Sequence, residues 1–208
     1  MKYKDSLKPH RKTKKHFFLN LLFIPAVCAV CLLAAAALYF SENDYSEEKR
    51  AFDASVLQYE DVVDTYAARY DIEEYKDYIL AIIQVESKGK GSDIMQSSES
   101  AGLELNTYSP EESIERGCQY FRELLDYNEY FGCDNDTILQ AYNYGNGFIK
   151  YAAENGKEYS FDLAAAYAKE KSDDTRVFYI NEAALRHNMI WRYGYGNMFY
   201  VELIHQYV

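Results

Sequence analysis

The chain of 208 residues is predicted to be mainly α-helical, with one folded domain behind a single N-terminal transmembrane helix. Three observations predict this class. Residues 17–40 form an uncharged run of 24 residues, apolar residues further along recur at steps of three and four, and strand-like alternation is scarce. The chain that remains after the first 45 residues is long enough for a single sizeable core.

The 16 residues ahead of the uncharged run carry seven basic residues and one acidic residue. By the positive-inside rule, the N-terminus then lies in the cytoplasm and everything after Ser41 lies outside, in a single-pass protein of the cell membrane. A cleaved signal peptide is the alternative, because the alanines at positions 35–37 offer a cutting site. The run is longer than the apolar core of a typical signal peptide, about 7 to 15 residues, so an uncleaved anchor is favoured.

The chain divides on this basis into four segments. Residues 1–16 are a basic cytoplasmic tail, 17–40 the anchor, 41–54 a polar stalk and 55–208 the folded domain. Without the tail, the totals of 22 basic and 33 acidic residues fall to 15 and 32, a net charge of −17 outside the membrane. Such a surface repels nucleic acid, whose binding requires Lys and Arg against the phosphates. Nucleic acid is therefore excluded as a partner.

Histidine and cysteine give little support to metal or redox chemistry. The four histidines form no paired helical motif for zinc, so neither a metal nor a cofactor is expected. Cys118 and Cys133 belong to the exported part, where a disulfide can persist. Sequence leaves open whether these two cysteines are close enough to pair.

Apolar spacing predicts helices along the first half of the exported region. Residues 47–68 carry an apolar stripe at three- and four-residue steps and are predicted as a leading amphipathic helix. Residues 72–87 form a second helix, and the glycine-rich segment 88–92 is a loop. An N-cap serine, a proline at the first helical position and a glutamate at the third predict a helix over 109–127.

Five more helices are predicted in the C-terminal part of the chain. Asp136 is expected to cap the helix that ends at Asn143, and Ser160 is expected to cap another. The five are 136–143, a short helix beginning at Gly147, 161–171, 173–192 and 198–207.

Glu86 is the first candidate for a functional side chain. With Ile79 as position i, Ile82, Ile83 and Glu86 fall at i+3, i+4 and i+7, so the carboxyl group lies on the core-facing stripe of its helix. Burial disfavours the charged form and raises the pKa of a carboxyl group, as a general acid near neutral pH requires. The alternative is a glutamate at the helix end that turns outward to water.

Three motifs that follow Glu86 in order point to a family. They are Glu86-Ser87, the segment from Asp93 to Ser100 with Ile94-Met95-Gln96, and Ala141-Tyr142-Asn143 with Gly145 and Gly147. Together they resemble the goose-type lysozyme and lytic transglycosylase superfamily. The resemblance is greatest to the CwlT-like lysozyme-like proteins of Gram-positive bacteria, and it covers roughly residues 55–208. It implies a goose-type, lysozyme-like helical domain.

The resemblance also implies cleavage of a glycosidic bond. This reaction needs a proton donor for the leaving oxygen and a group that stabilises or captures the positively charged sugar centre. Glu86 is predicted to be the acid and Asp93 the second catalytic group. Lytic transglycosylases usually have glycine at the position of Asp93, so the aspartate favours hydrolysis through an activated water. The alternative is that Asp93 caps a turn.

The same resemblance implies residues that hold the substrate. Aromatic rings bury the C–H faces of sugars, and amides orient their hydroxyl groups. Glu99 ranks below Asp93, because a charged loop residue is more often solvated. The implied substrate-binding residues are Ser87, Gln96, Ser97, Glu99, Tyr142, Asn143 and Tyr200.

The sequence thus predicts a membrane-anchored muramidase that cleaves the β-1,4 bond between N-acetylmuramic acid and N-acetylglucosamine. Its partners are then the glycan strands of peptidoglycan, the cytoplasmic membrane through residues 17–40, and the machinery of conjugation or division. One alternative is a lytic transglycosylase that leaves 1,6-anhydro ends. The other is a non-catalytic, wall-binding scaffold of a secretion or conjugation apparatus.

Overall fold

The computed structural model describes residues 49–98 and 101–208, and Lys49–Val208 form one compact unit. This part of the chain is mainly helical, as predicted. None of its helices is both long and apolar enough to cross a membrane. The predicted anchor, residues 17–40, lies outside the described residues.

Short helices and one pair of strands follow one another along the described chain. The helices are α1 (Ala54–Leu57), α2 (Glu60–Arg69), α3 (Lys76–Glu86), α4 (Pro110–Phe131), α5 (Asn135–Tyr144), α6 (Gly147–Glu154), α7 (Phe161–Lys171), α8 (Glu182–Arg186) and α9 (Tyr200–Ile204), with a 3₁₀ turn at Glu73–Tyr75. The strands are β1 (Arg176–Phe178) and β2 (Trp191–Tyr193), which pair antiparallel.

Serine side chains cap the starts of α4 and α7. The Ser109 side chain accepts a hydrogen bond from the Glu112 amide, and the Glu112 carboxylate accepts one from the Ser109 amide at 2.9 Å. This capping box confirms the predicted start of α4, which continues one turn beyond its predicted end and stops at Gly132. Ser160 caps α7 as predicted, because its hydroxyl accepts from the Leu163 amide at 3.1 Å.

The predicted cap of α5 was wrong by two residues. Asp134, not Asp136, accepts a hydrogen bond from the Thr137 amide at 2.9 Å. The helix already begins at Asn135, so Asp136 lies within its first turn. The Asp136 carboxylate pairs instead with His205 at 2.7 Å.

The predicted leading helix over residues 47–68 was also wrong in its extent. Residues 49–53 are not helical, and the predicted helix is interrupted between α1 and α2. The Asp53 amide donates to the Gln84 side chain at 2.9 Å, which fixes the start of α1. The Gln58 amide side chain donates to the Ser55 carbonyl at 2.7 Å and ends the helix.

Residues 49–54, assigned to the stalk from the sequence, make hydrogen bonds within the compact unit. The Arg50 amide donates to the Gln206 carbonyl at 2.7 Å, and the Gln84 side chain donates to the Asp53 carboxylate at 3.0 Å. The start of the described chain is thereby attached to α3 and to the C-terminal segment.

The predicted helix over residues 173–192 was wrong. Asp173 and Asp174 have positive φ angles, 51° and 56°, and end the preceding helix. The β-branched and aromatic residues that follow form β1, whose Val177 pairs with Arg192 of β2. Asn181 caps the short α8 between the strands by accepting from the Ala183 amide at 2.9 Å.

Helix α3 lies at the centre of the core. It packs against α1, α2 and α9, and α4 packs against α2 and α5. Ile79, Ile82 and Ile83 of the predicted stripe are fully buried, as is Met95 of the following loop. This burial fixes α3, and with it the position of its last residue, Glu86.

Gly89 allows the loop after α3 to pass close to α1. Its φ angle is +68°, and a Cβ atom there would lie 2.1 Å from the Ser55 carbonyl oxygen. Gly132 has nearly the same φ, +67°, but nothing within 4 Å of the equivalent Cβ position. Comparing the same substitution at the two glycines therefore separates the cost of a strained backbone from the cost of a steric clash.

We expect Gly89→Ala to lower the free energy of unfolding by about 3 kcal/mol or more, and Gly132→Ala by about 1 kcal/mol. The larger loss reflects the clash with the Ser55 carbonyl. Denaturant titration of both variants beside the wild type measures the difference. Equal losses in the two variants would contradict the close packing of the loop on α1.

Candidate active site

Glu86 is the last residue of α3, and its carboxylate accepts a hydrogen bond from the Tyr200 hydroxyl at 2.8 Å. Tyr200 is 1% exposed, so this contact lies deep in the fold, although Glu86 itself is only half-buried. Burial raises the pKa of Glu86 to about 7, against the lowering effect of the Tyr200 hydrogen bond, and the charge of Asp93 adds to the rise. Glu86 therefore titrates near neutral pH.

Asp93 is enclosed by hydrogen-bond donors. Its carboxylate accepts from the Ser113 hydroxyl at 2.6 Å and from the amides of Ser97 and Ser98 at 2.9 Å each. The whole Asp93 residue is 1% exposed to solvent. Burial raises the pKa of Asp93, but these hydrogen bonds outweigh burial and hold the pKa below its ordinary value. The group is thus a charged anchor that fixes the loop against α4.

Two of the predicted substrate-binding serines also hold this loop. The Ser87 hydroxyl donates to the Ile94 carbonyl at 2.7 Å, which ties the end of α3 to the loop. Ser97 is buried, and its hydroxyl donates to the Ser113 carbonyl at 3.0 Å. Both hydroxyl groups therefore donate to backbone carbonyl groups within the fold.

Gln96, Tyr142 and Asn143 line one cavity together with Glu86. Gln96 has a φ angle of 49°, and its side chain donates to the Asp93 carbonyl at 2.8 Å. The Tyr142 hydroxyl donates to the Met95 carbonyl at 3.2 Å. The first hydrogen bond lies within the loop that carries Gln96, and the second joins α5 to that loop.

Two cavities of about 490 and 500 Å³ meet at Glu86, and we name them together the groove. Both are lined by Glu86, Asn143, Gly194 and Gly196. The tyrosine half is further lined by Gln96, Tyr120, Tyr142, Tyr144, Gly145 and Tyr195. The cationic half is further lined by Arg50, Gln84, Val85, Lys88, Tyr179, Asn181, Arg192, Asn197, Tyr200, Leu203, Gln206 and Tyr207.

The segment after β2 forms one wall of the groove. Gly196 has a φ angle of +47°, and a Cβ atom there would lie 2.6 Å from the Asn143 side-chain oxygen. The Asn197 amide donates to that same oxygen at 2.6 Å, and the Tyr195 hydroxyl donates to the Tyr144 carbonyl at 2.8 Å. The wall is thus fastened directly to the end of α5.

Of the predicted site residues, the structure brings five to the groove and leaves others in supporting positions. Glu86, Gln96, Tyr142, Asn143 and Tyr200 line the groove. Ser87, Asp93 and Ser97 are not among the lining residues, and Glu99 lies outside the described residues.

Sequence reasoning missed the other lining residues. The repeated glycines and tyrosines around Gly194 were a signal for Tyr195 and Gly196. Nothing in the sequence marked Tyr120 or the basic residues, because they lie far apart along the chain.

The remaining reactive groups lie apart from this chemistry. Cys118 and Cys133 are free thiols, and burial raises the pKa of Cys118 to about 12. In the part of the chain that the structure describes, no group of three His, Cys, Asp or Glu side chains is arranged to hold a metal ion.

A glutamate whose pKa is raised towards neutrality by burial is the proton donor of lysozyme, and comparison with known proteins places this helical domain in the same class. A model of the lysozyme-like family matches residues 53–208. The chain belongs to this lysozyme-like family, which confirms the resemblance seen in the sequence.

Curated relatives come from Gram-positive bacteria. The chain is 34% identical over 159 residues to the pneumococcal vaccine antigen A homolog of Streptococcus pyogenes serotype M1, covering 72% of this chain and 79% of that protein. It is 34% identical over 171 residues to the bifunctional muramidase/DL-endopeptidase CwlT of Bacillus subtilis, covering 82% of this chain and 46% of CwlT. It is also 33% identical to the uncharacterized membrane protein YocA of B. subtilis, covering 72% and 66%.

A solved structure is similar as well. It is a crystal structure described as similar to a lipoprotein of the NLP/P60 family, from Staphylococcus aureus subsp. aureus Mu50. It matches with a TM-score of 0.75 and 47% identity, over 76% of this chain and 54% of that one. The chain therefore spans about half the length of this structure and of CwlT.

The raised pKa of Glu86 predicts a pH-dependent effect of Glu86→Gln on stability. A neutral Glu86 stabilises the fold below its unfolded-state pKa of about 4.5, and this contribution is lost as the pH rises through about 7. Glutamine does not titrate. Relative to the wild type, the free energy of unfolding of Glu86→Gln should therefore rise by about 3 kcal/mol from pH 4 to pH 8. Denaturant titrations across this range measure the difference, and a difference independent of pH would contradict the assignment.

Proposed function

We propose that this protein is a muramidase that hydrolyses the β-1,4 bond between N-acetylmuramic acid and N-acetylglucosamine in peptidoglycan. The single observation that carries the proposal is the position of Glu86, a carboxyl group with a pKa of about 7 where the two halves of the groove meet. A polymer that occupies both halves passes directly over this group. The muramidase named among the relatives supports the choice of bond.

Glu86 supplies the proton in this mechanism. Near neutral pH it is partly protonated, and it donates its proton to the glycosidic oxygen as the bond breaks. The carboxylate that remains then accepts a proton from the water that attacks the sugar. The Tyr200 hydroxyl, 2.8 Å from the carboxylate, orients it and stabilises the charged form between the two steps.

The tyrosine half of the groove suits a sugar chain. Tyr120 and Tyr142 form a tilted ring pair with centroids 5.4 Å apart, next to the side-chain amides of Gln96 and Asn143. Aromatic faces cover the apolar faces of sugars, and amides pair with their hydroxyl or acetamido groups.

We assign Asp93 a positioning role in place of the activation of water. Its carboxylate is occupied by donors from Ser97, Ser98 and Ser113, and its residue is 1% exposed. It fixes the loop that carries Gln96, and its negative charge contributes to the raised pKa of Glu86. In this mechanism Glu86 alone serves as both the acid and the base of the hydrolysis.

Lytic transglycosylation is the second candidate, and a specific observation favours it. Glu86 is the one carboxylate among the described residues that line the two cavities. A mechanism with one carboxylate also serves internal attack by a hydroxyl group of the muramic acid, which gives a 1,6-anhydro product. A role in conjugation or division, and the membrane anchor, stay predictions from the sequence.

Glu86→Gln is expected to lower the rate of lysis of purified cell walls about 10³-fold, because the proton donor is lost. Turbidity measures the rate, and circular dichroism checks that the variant folds. Glu154→Gln, at an exposed position on α6, is the matched control and should lyse walls like the wild type. Full lysis by Glu86→Gln would refute the assignment of the acid.

Mass spectrometry of the wild-type digest separates the two reactions. Hydrolysis gives products that carry one added water, whereas transglycosylation gives anhydro products without it. We expect the hydrated products. A digest of anhydro ends would replace the hydrolase by the transglycosylase, and no cleavage at all would contradict both.

The rate of lysis should fall as the pH rises past about 7, because Glu86 then loses its proton. Tyr200→Phe removes a hydrogen bond that lowers the pKa of Glu86, so this fall should move to higher pH. Tyr144→Phe is the control, since that hydroxyl donates to the Ala164 carbonyl instead. A shift to lower pH in Tyr200→Phe would contradict the role of the hydrogen bond.

A further inference from the structure

The two halves of the groove differ in charge. Arg50, Lys88 and Arg192 line the cationic half, whereas no basic side chain lines the tyrosine half in the described structure. The whole chain has a formal net charge of −11, so three cations in one cavity run against the general composition. A local excess of positive charge indicates a ligand that is negatively charged at this position.

The Arg192 side chain is fixed by contacts that use only some of its hydrogen-bond donors. Its Nη1 atom donates to the Tyr193 carbonyl at 3.1 Å and to the Gly196 carbonyl. Its guanidinium carbon lies 5.6 Å from the ring centroid of Tyr179. The Nε and Nη2 groups have no acceptor among the described residues. A fixed guanidinium with unused donors matches the geometry of a carboxylate.

The backbone of Lys88 is held by two hydrogen bonds. Its carbonyl accepts from the Ser55 hydroxyl at 2.7 Å, and its amide donates to the Gln84 carbonyl at 3.2 Å. Within the described part of the chain its side chain has no carboxylate partner. Arg50 differs, because it forms an ion pair with Glu182.

We propose that Arg192 and Lys88 form an anion-binding subsite beside Glu86, which takes carboxylate groups attached to the glycan strand. This inference rests on the proposed function. Two sources supply the carboxylate, namely the lactyl group of an unsubstituted muramic acid and the peptide stem of a substituted one. Either source distinguishes bacterial wall glycan from a neutral polymer of N-acetylglucosamine.

The experiment compares three soluble substrates free of teichoic acid. They are an oligomer of N-acetylglucosamine, a bare glycan strand with lactyl carboxylates, and a strand that keeps its peptide stems. The full-length protein is assayed as wild type, Lys88→Gln and Lys90→Gln. Lys90 is the matched control, because it is an exposed lysine on the same loop that does not line the groove.

Lys88→Gln should raise KM about fivefold on the charged substrates and leave kcat nearly unchanged, because an exposed charge contributes modest binding energy. Its KM on the neutral oligomer should not change, and Lys90→Gln should match the wild type throughout. Arg192→Lys, which keeps the charge but loses the planar fork and the hydrogen bonds to the wall of the groove, should raise KM more on the charged substrates than on the neutral oligomer. Added salt should reduce the preference of the wild type for charged strands.

The outcomes separate the sources and the proposals. A raised KM on the peptide-bearing strand alone assigns the subsite to the stem, and a raised KM on the bare strand alone assigns it to the lactyl group. A raised KM on both charged strands means that the subsite accepts either carboxylate. Equal effects on neutral and charged substrates, or equal behaviour of Lys88→Gln and Lys90→Gln, would overturn the subsite.

Cleavage of none of the three substrates would instead contradict the proposed function. Calorimetric binding of the same strands to Glu86→Gln, with and without Lys88→Gln, would then still decide the subsite. An affinity for charged strands that Lys88→Gln leaves unchanged would overturn it there.

Discussion

The hydrogen bond between the Tyr200 hydroxyl and the Glu86 carboxylate joins the last helix to the end of α3, and the candidate site is built around it. Burial and the negative charge of Asp93 both disfavour the ionised carboxylate, whereas the hydroxyl favours it. The balance leaves the pKa of Glu86 at about 7. A weaker hydrogen bond or deeper burial would move the group away from the range in which it can both give and take a proton.

A second carboxylate near Glu86, that of Asp93, has its pKa shifted in the opposite direction. Asp93 is more buried than Glu86, yet its pKa is lowered, because three serines supply hydrogen bonds to the charged form. Two neighbouring carboxylates with pKa values moved in opposite directions are a pattern typical of acid–base sites. In the function we propose, the carboxylate in the groove transfers the proton and the one in the core supplies a fixed negative charge.

Local patterns in the sequence predicted much of the helical fold and several residues that line the groove. Glu86 was found from its place on a buried stripe, and Tyr142 and Asn143 from a contiguous motif. The enclosure of Asp93 depends on Ser113, twenty residues further along, and no local pattern records this contact. The strands on either side of α8 were missed for a similar reason, since their pairing joins residues that are far apart in the chain and overrides helix-like spacing. The cationic half of the groove is assembled from residues that lie far apart in the chain.

The account rests on the protonation state of Glu86. NMR titration of the wild-type protein with ¹³C-labelled glutamate side chains, with Glu86→Gln used to assign the resonance, measures it directly. The account predicts a midpoint near pH 7 for Glu86. A midpoint near 4.5, the ordinary value for a glutamate, would contradict it.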